Sequence, residues 1–313
     1  MTIHANLAGV NIGDGLPVRL VGAINISPES FYGGSVSKDE DSFRQKAEQM
    51  AAEGADILDI GAMSTAPYLK NEITEEEETR RLVWAIGVVR KRVTIPISAD
   101  SKRNRVARAA LEAGAEIVND VSGLRYDPEM AEVVARHAKG AILMASEAEP
   151  GARDPIEMVV ALLREGLRRL RGMGVPEDRA VVDPGIGFFR QAAIPWHAWD
   201  CEVLRRLAEL RRLGCPIVVG LSRKSFIGQI LGQKDPSERL VGSLAATAVA
   251  VVNGAHVIRT HDIGPTREAV RMAEALRSAT GKAGTQAIRH SGTRGIGKAG
   301  DWAIGETGHR ENR

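Results

Sequence analysis

The chain has 313 residues, 43% of them hydrophobic, and a formal charge of +2; that is enough apolar material for one large barrel-type domain or two ordinary ones. Acids and bases are interleaved along the predicted helices, which argues against a nucleic-acid surface or a polybasic membrane patch. No apolar run approaches the ~20 residues of a membrane span, and no charged start leads into an apolar secretory core, so the expected location is the cytoplasm.

After a polar lead, residues 18–26 read as a short apolar strand ending in Asn25 and the turn Ser27-Pro28-Glu29-Ser30. An amphipathic helix over 37–54 is followed by a strand over 55–60, ending at Gly61 and a loop through Tyr68. A helix over 74–92 leads to a strand over 94–99 ending at Asp100, with Pro96 near its beginning, where a missing donor costs least. A helix over 104–113 leads to 116–118, ending at Asn119 and Asp120. The pattern continues with a helix over 128–137, a strand over 141–144, a long helix over 155–173, and an apolar strand running into Asp183. A helix over 201–213 feeds the strand 216–221, a helix over 239–253 feeds 255–258, and a last helix covers 265–278.

Alternating strands and helices in about eight units predict an α/β fold, a single (β/α)8 TIM barrel of parallel strands over residues 1–280. An open doubly wound sheet is the alternative. Residues 281–313 turn glycine-rich and polar and are expected to be a flexible tail, in which only Trp302 argues for docking.

In a barrel the strand-to-helix loops converge at the carboxyl ends of the strands. Asn25, Asp59, Asp100, Asn119, Asp183, Lys224, Arg259 and His261 all fall at or just beyond strand ends, on separate units. One such residue is usually a cap; this many, of mixed sign, point to a ligand site. Arg259 and His261, with Ser222 and Ser225 nearby, supply donors for phosphate oxygens, and Asn25 offers an oxygen for a hard cation such as Mg2+. Asp183, Asn119, Asp100 and Lys224 suit a flat heterocycle with an amidine-like edge, whose faces Phe188 and Met144 could cover. Gly185 and Gly187 allow close backbone approach around Asp183. There is no nucleophile paired with a base, so the chemistry reads as leaving-group departure. Asp59 and Asp120 read as structural residues, Trp196 and Trp199 as packing, His197 and His256 have no role, and Cys201 and Cys215 lack metal-ligand spacing.

Several motifs in order resemble the dihydropteroate synthase family. Asn25-Ile26-Ser27-Pro28-Glu29-Ser30-Phe31 resembles its Asn-Val-Thr-Pro-Asp-Ser-Phe segment, and Asp183-Pro184-Gly185-Ile186-Gly187-Phe188 matches its glycine turn. Ser222-Arg223-Lys224-Ser225-Phe226 and Arg259-Thr260-His261-Asp262 are similar to its last two signatures. The resemblance implies a barrel enzyme that joins 6-hydroxymethyl-7,8-dihydropterin diphosphate to an aryl amine and releases diphosphate. It implies Asp100, Lys224, Arg259 and His261 as catalytic residues, and Asp100, Asn119, Met144, Asp183, Phe188 and Lys224 around the pterin. It places Asn25, Thr65, Ser225, Arg259 and His261 on the diphosphate and the aryl amine, with Mg2+ on Asn25, in a homodimer without nucleic-acid or membrane partners.

The chain departs from the family pattern on the acceptor side. The second loop reads Gly61-Ala62-Met63-Ser64-Thr65-Ala66-Pro67-Tyr68, with Ala66 where the family has arginine; Phe188-Phe189-Arg190 replaces Phe-Gly-Lys, and Ala145 stands where a histidine often follows. The pterin and diphosphate residues are intact, so the acceptor is either p-aminobenzoate or a larger amine such as the ribosylated aniline phosphate of methanopterin-type cofactors. Phe189 is similar to the sulfonamide-insensitive branch. A pterin-dependent methyltransferase and a pterin binder without activity are the alternatives.

Overall fold

The computed structural model describes residues 2–26, 36–62, 73–146, 154–190 and 194–286, with side chains 36–39 and 279–286 excepted. Two units divide the chain at residue 276/277. The second carries the end of the last helix among its described residues, and the expected tail beyond 286 lies outside them.

The first unit opens with something the polar lead does not announce, an antiparallel hairpin of β1 (His4–Leu7) and β2 (Val10–Gly13). Its two-residue turn places Ala8 at φ 51° and Gly9 at φ 95°, the paired positive angles that match hairpin twist. Eight parallel strands follow: β3 (Arg19–Asn25), β4 (Ile57–Gly61), β5 (Ile97–Asp100), β6 (Ile117–Asp120), β7 (Gly140–Met144), β8 (Ala180–Asp183), β9 (Val218–Gly220) and β10 (Val257–Thr260). They are ordered β8-β7-β6-β5-β4-β3-β10-β9, and a parallel bridge from Val182 to Ile217, with the Val182 amide donating to the Pro216 carbonyl at 3.0 Å, closes β8 on β9. The sheet is therefore the expected barrel and not an open, doubly wound sheet.

The helices run between the strands: α1 (Val36–Glu53), α2 (Glu75–Arg90), α3 (Asn104–Glu112), α4 (Met130–His137), α5 (Pro155–Gly172), α6 (Trp196–Arg205), α7 (Ser225–Leu231), α8 (Leu240–Val252) and α9 (Ile263–Gln286). Three departures from the sequence reading stand out. The helix expected over 201–213 is α6, which begins five residues earlier, right after Pro195, followed by a 3-10 segment Leu207–Leu213 that stops at the left-handed Gly214. The short α7 follows Lys224, where only a loop was expected. Helix α9 extends to Gln286, past the expected end at 278.

Side chains alternate across a strand with period two, and here that alternation builds two interior layers. Val21, Ile57, Ile117, Ile142, Val181, Val218 and Val257 form the lower one, with Leu7 and Ile12 of the hairpin packed into it. A Cβ on Gly140 would run into Leu7, so the hairpin is a close-fitting stopper. It is tied down by Asp14, which accepts from the Ile3 amide (2.9 Å) and from both Arg211 guanidinium nitrogens (2.8 Å each); those bonds hold its carboxyl well below the usual range. His256, given no role from sequence, belongs to this lock: Nδ1 accepts from the Ile217 amide and Nε2 faces Asp14.

Candidate active site

Two residues up four of these strands from the apolar layer, the same inward face becomes polar. Ile57 is followed by Asp59, Ile117 by Asn119, Val181 by Asp183 and Val257 by Arg259, while β5 brings in Asp100 two residues after Ser98. A cavity of about 310 Å³ opens above this layer. Ten residues singled out from sequence line it: Asn25, Asp100, Asn119, Met144, Asp183, Phe188, Ser222, Lys224, Arg259 and His261. Ser225, next in the chain to Lys224, is not among the lining residues, and Thr65 lies outside the described residues.

At the floor, Arg259 donates from Nε to Asp59 Oδ2 (2.7 Å) and from Nη2 to Asp100 Oδ2 (3.1 Å), and Asn119 Nδ2 donates to the same Asp59 oxygen (3.0 Å). Asp59 is fully buried. It is the anchor that orients Asn119 and Arg259. Two carboxylates share one guanidinium, which leaves one negative charge uncompensated. Burial, and then the neighbouring Asp59, push the Asp100 carboxyl up despite Arg259. Asp59 Oδ1 and Asp100 Oδ1 are buried with no hydrogen-bond partner among the described residues, which makes this network a strong acceptor surface for a ligand.

Asp183 owes its position to the glycine turn. Its Oδ1 accepts from the Gly185 amide at 2.8 Å, and Gly185 sits at φ 73°, where a Cβ would overlap the Ala145 carbonyl oxygen; only glycine fits. Burial raises the Asp183 carboxyl, with the Gly185 bond and Lys224 opposing. Lys224 lies with its Nζ 4.6 Å from the centre of the Phe188 ring, and burial brings its ammonium down to about 8. Gly187 lets the lysine stem pass, since a Cβ there would stand 3.3 Å from Lys224 Cδ.

The turn is pinned from behind by a residue the sequence reading missed. Asp200 on α6 is fully buried, accepts from the Gly187 amide at 2.8 Å, and leaves Oδ2 without a partner among the described residues; burial lifts its carboxyl to about 6. Phe189 turns into the core, stacked on Trp199 with ring centroids 4.9 Å apart, so Trp199 is packing, as expected. Trp196 instead carries Arg190, whose guanidinium carbon lies 4.1 Å from its ring centre.

On the opposite wall Arg223 adopts φ 55°, an uncommon conformation for a residue with a side chain. Asp262 holds its guanidinium at 2.8 and 3.0 Å, Ser243 Oγ accepts from its amide at 2.8 Å, and Arg239 donates to its carbonyl at 3.2 Å. These bonds fix the turn that presents Ser222 and Lys224. Ser222 Oγ lies 3.1 Å from His261 Nδ1. Burial, and then Arg259, lower His261 to about 4, so it is neutral at physiological pH. Asp120, read as structural, accepts from the Ser122 and Leu124 amides and shapes the loop after β6.

Comparison with known proteins agrees with this geometry. Residues 21–261 match the family of pterin-binding enzymes. The dihydropteroate synthase of Synechocystis is 37% identical over 265 residues, covering 82% of this chain and 89% of that protein. The Escherichia coli K12 dihydropteroate synthase is 34% identical, covering 83% and 92%. The structure of the Xanthomonas albilineans dihydropteroate synthase with 4-aminobenzoic acid superposes with a TM-score of 0.78 at 32% identity, over 88% of this chain and 99% of that one. The Coxiella burnetii dihydropteroate synthase in complex with pteroic acid gives 0.76 at 36% identity, over 88% and 99%. With the family's barrel, its motifs and its polar layer all in place, the chain belongs to the dihydropteroate synthase family of pterin-binding transferases.

Proposed function

We infer that the cavity divides dihydropteroate synthesis between a deep pterin seat and a shallower diphosphate and amine seat. The buried Asp59–Arg259–Asp100 network beside Asp183 carries the reading. Asp183 accepts from the ring N–H and exocyclic amine of the pterin, Asn119 pairs with its other edge atoms, and Lys224 donates to its carbonyl, with Met144 and Phe188 against its faces. The C–O bond between the pterin methylene and the diphosphate breaks with its electron pair going to diphosphate. The amine nitrogen then forms the C–N bond and gives up a proton. The uncompensated charge shared by Asp59 and Asp100 favours the cation that develops on the methylene, an effect worth several kcal/mol in a pocket closed to water.

Arg259 and His261 face the departing diphosphate. A neutral His261 with its proton on Nε2, its Nδ1 3.1 Å from Ser222 Oγ, can donate that proton to a phosphate oxygen. Among the described residues no group of three His, Cys, Asp or Glu side chains could hold a metal. Asn25 contributes one amide oxygen at the mouth, which fits Mg2+ that takes its other oxygens from diphosphate and water. Bound there, the ion would neutralise charge on the leaving group. Thr65 and Ser225 complete the set on the resemblance alone.

The pairing surface for a homodimer is the outer face of α7 and α8. Val241, Ala245, Val249 and Val252 recur there at helical spacing and are exposed, beside Ile230 and Leu231. Sedimentation equilibrium at micromolar concentration reads it directly, and a monomer refutes it. No helix among the described residues is long and apolar enough to cross a membrane.

The activity is tested by diphosphate release from dihydropterin diphosphate and Mg2+ with p-aminobenzoate, with a ribosylated aniline phosphate, and without amine, using Lys224→Ala as control. Release that requires one of the amines and is lost in the variant supports the reading and names the acceptor. Tight pterin binding without amine-dependent release overturns it and favours the methyltransferase reading.

A further inference from the structure

Gly187 is held from both sides. Its amide donates to Asp200 Oδ1 at 2.8 Å, and its carbonyl accepts from Arg190 Nε at 3.1 Å. Its chain neighbours Ile186 and Phe188 line the cavity, and Lys224 lies against it: a Cβ on Gly187 would stand 3.3 Å from Lys224 Cδ and 3.7 Å from Nζ. That ammonium also lies 4.6 Å from the centre of the Phe188 ring. One peptide unit therefore connects Asp200 to the lysine and the aromatic ring of the pterin seat, with carboxylate and ammonium no more than about 9 Å apart. Asp200 itself is fully buried on α6, is not among the lining residues, and keeps Oδ2 without a partner among the described residues. A carboxylate buried with a single hydrogen bond is costly, and a role beyond that bond accounts for it.

We propose that Asp200 is a positioning residue for Lys224, setting the lysine stem through the Gly187 peptide and keeping the ammonium in its donating form through its own charge. The charges that bear on Lys224 are Asp183 at the end of β8, Arg259 on β10, Asp200 on α6 and Arg190 in the loop after β8; burial lowers the ammonium most, the two acids raise it and the two arginines lower it. Lys224 bears in turn on His261, and Lys224 and Arg190 bear on Asp200. With Asp200 at about 6 and Lys224 at about 8, both are ionised between those values. Asp183 touches the pterin in the transferase reading above and Asp200 does not, so a change at Asp200 alters the ammonium without deleting a ligand contact. The inference rests on that reading and adds the residue that keeps its pterin donor charged and in place.

The test is the dissociation constant of 6-hydroxymethyl-7,8-dihydropterin diphosphate with Mg2+ and no amine, measured by isothermal titration calorimetry from pH ~6 to ~9.5 on wild type, Asp200→Asn and Asp200→Ala, with thermal melting to confirm that each is folded. The ligand's own titration is common to all three proteins, so the shift between them is what counts. Wild type should lose affinity as pH rises through about 8, where Lys224 gives up its proton. Removing a nearby anion favours the neutral lysine, so both variants should lose affinity at a pH lower by about half to one unit. Asn keeps an acceptor for the Gly187 amide, and at pH ~6.5 its Kd should stay within about threefold of wild type, whereas Ala leaves that amide unpaired and should raise Kd roughly tenfold or more. An alkaline limb that stays in place or moves upward in Asp200→Asn overturns the proposal, as does Asp200→Ala binding as tightly as wild type at pH ~6.5. Diphosphate release by wild type with p-aminobenzoate or a ribosylated aniline phosphate reads the transferase activity separately: its absence overturns that activity while the binding limb still decides the role of Asp200. Wild-type protein that does not bind the pterin overturns both.

Discussion

Asp59 reaches the reaction only through its neighbours, and replacing it by asparagine exposes what it does. The side chain is fully buried and its Oδ2 accepts from both Arg259 and Asn119. Asn keeps the volume and one acceptor but removes a charge that stands across a guanidinium from Asp100. At ~6 Å and an effective dielectric constant near 20, the repulsion between two such carboxylates is about 3 kcal/mol, or ~2 pH units. Asp100 lies high in the wild type because of burial and then Asp59, so the variant should lower it. The value of kcat/KM for dihydropterin diphosphate reports the free enzyme, and it requires Asp100 ionised. Its acid limb should therefore move to lower pH in Asp59→Asn, by one to ~2 units, while the plateau falls roughly ten- to a hundredfold as Asn119 and Arg259 lose their shared anchor. The assay is diphosphate release from pH 4.5 to 9, with thermal melting at each pH to confirm that the variant is folded. An acid limb that stays in place, or moves upward, refutes the claim that Asp59 sets the ionisation of Asp100.

Gly185→Ala tests the turn under Asp183. With φ at 73° and the Ala145 carbonyl in the way of any Cβ, the substitution should cost more than about 3 kcal/mol in urea unfolding, and a stability within 1 kcal/mol of the wild type would show that the turn relaxes freely. Asp200→Asn tests a buried charge through its pH dependence. The folded protein holds the Asp200 carboxyl at about 6, against 3.8 as the ordinary value. An acid raised on folding favours the folded state most below its unfolded value and loses that contribution as pH rises through its folded value. The stability difference between variant and wild type should thus move in favour of Asn by about 3 kcal/mol between pH ~4 and ~6 and stay level above, and a flat difference across that window contradicts the assignment.

Most of the barrel was legible because its strands and helices have different periods and because a proline or a glycine marks many boundaries. The site was legible for a related reason. Asn25, Asp100, Asn119, Asp183, Lys224, Arg259 and His261 interrupt apolar runs at strand ends, and the closed topology brings them to one cavity. What escaped was short, local or indirect. The hairpin has four-residue strands around an Ala-Gly turn, without the asparagine or aspartate that usually announces one. Helix α7 is seven residues long, too short for a period to show. The start of α6 did have a signal in Pro195, overlooked for the more helical stretch after Cys201. Asp59 carried a signal too, standing two residues after the inward-facing Ile57 as Asp183 stands after Val181. Asp200 had none, because its importance comes from a contact to Gly187 that only folding creates.

The hairpin at the foot of the barrel also governs traffic. Leu7 and Ile12 stop the lower end and the apolar layer above them seals it, so ligands held at Asp183 and Asn119 come and go by the mouth alone. A one-ended shaft imposes a queue. Whatever occupies the floor enters before whatever occupies the mouth, and an occupied mouth slows the departure of the floor ligand. An ordered kinetic scheme is in this sense already written into the first thirteen residues, at the opposite end of the molecule from the chemistry.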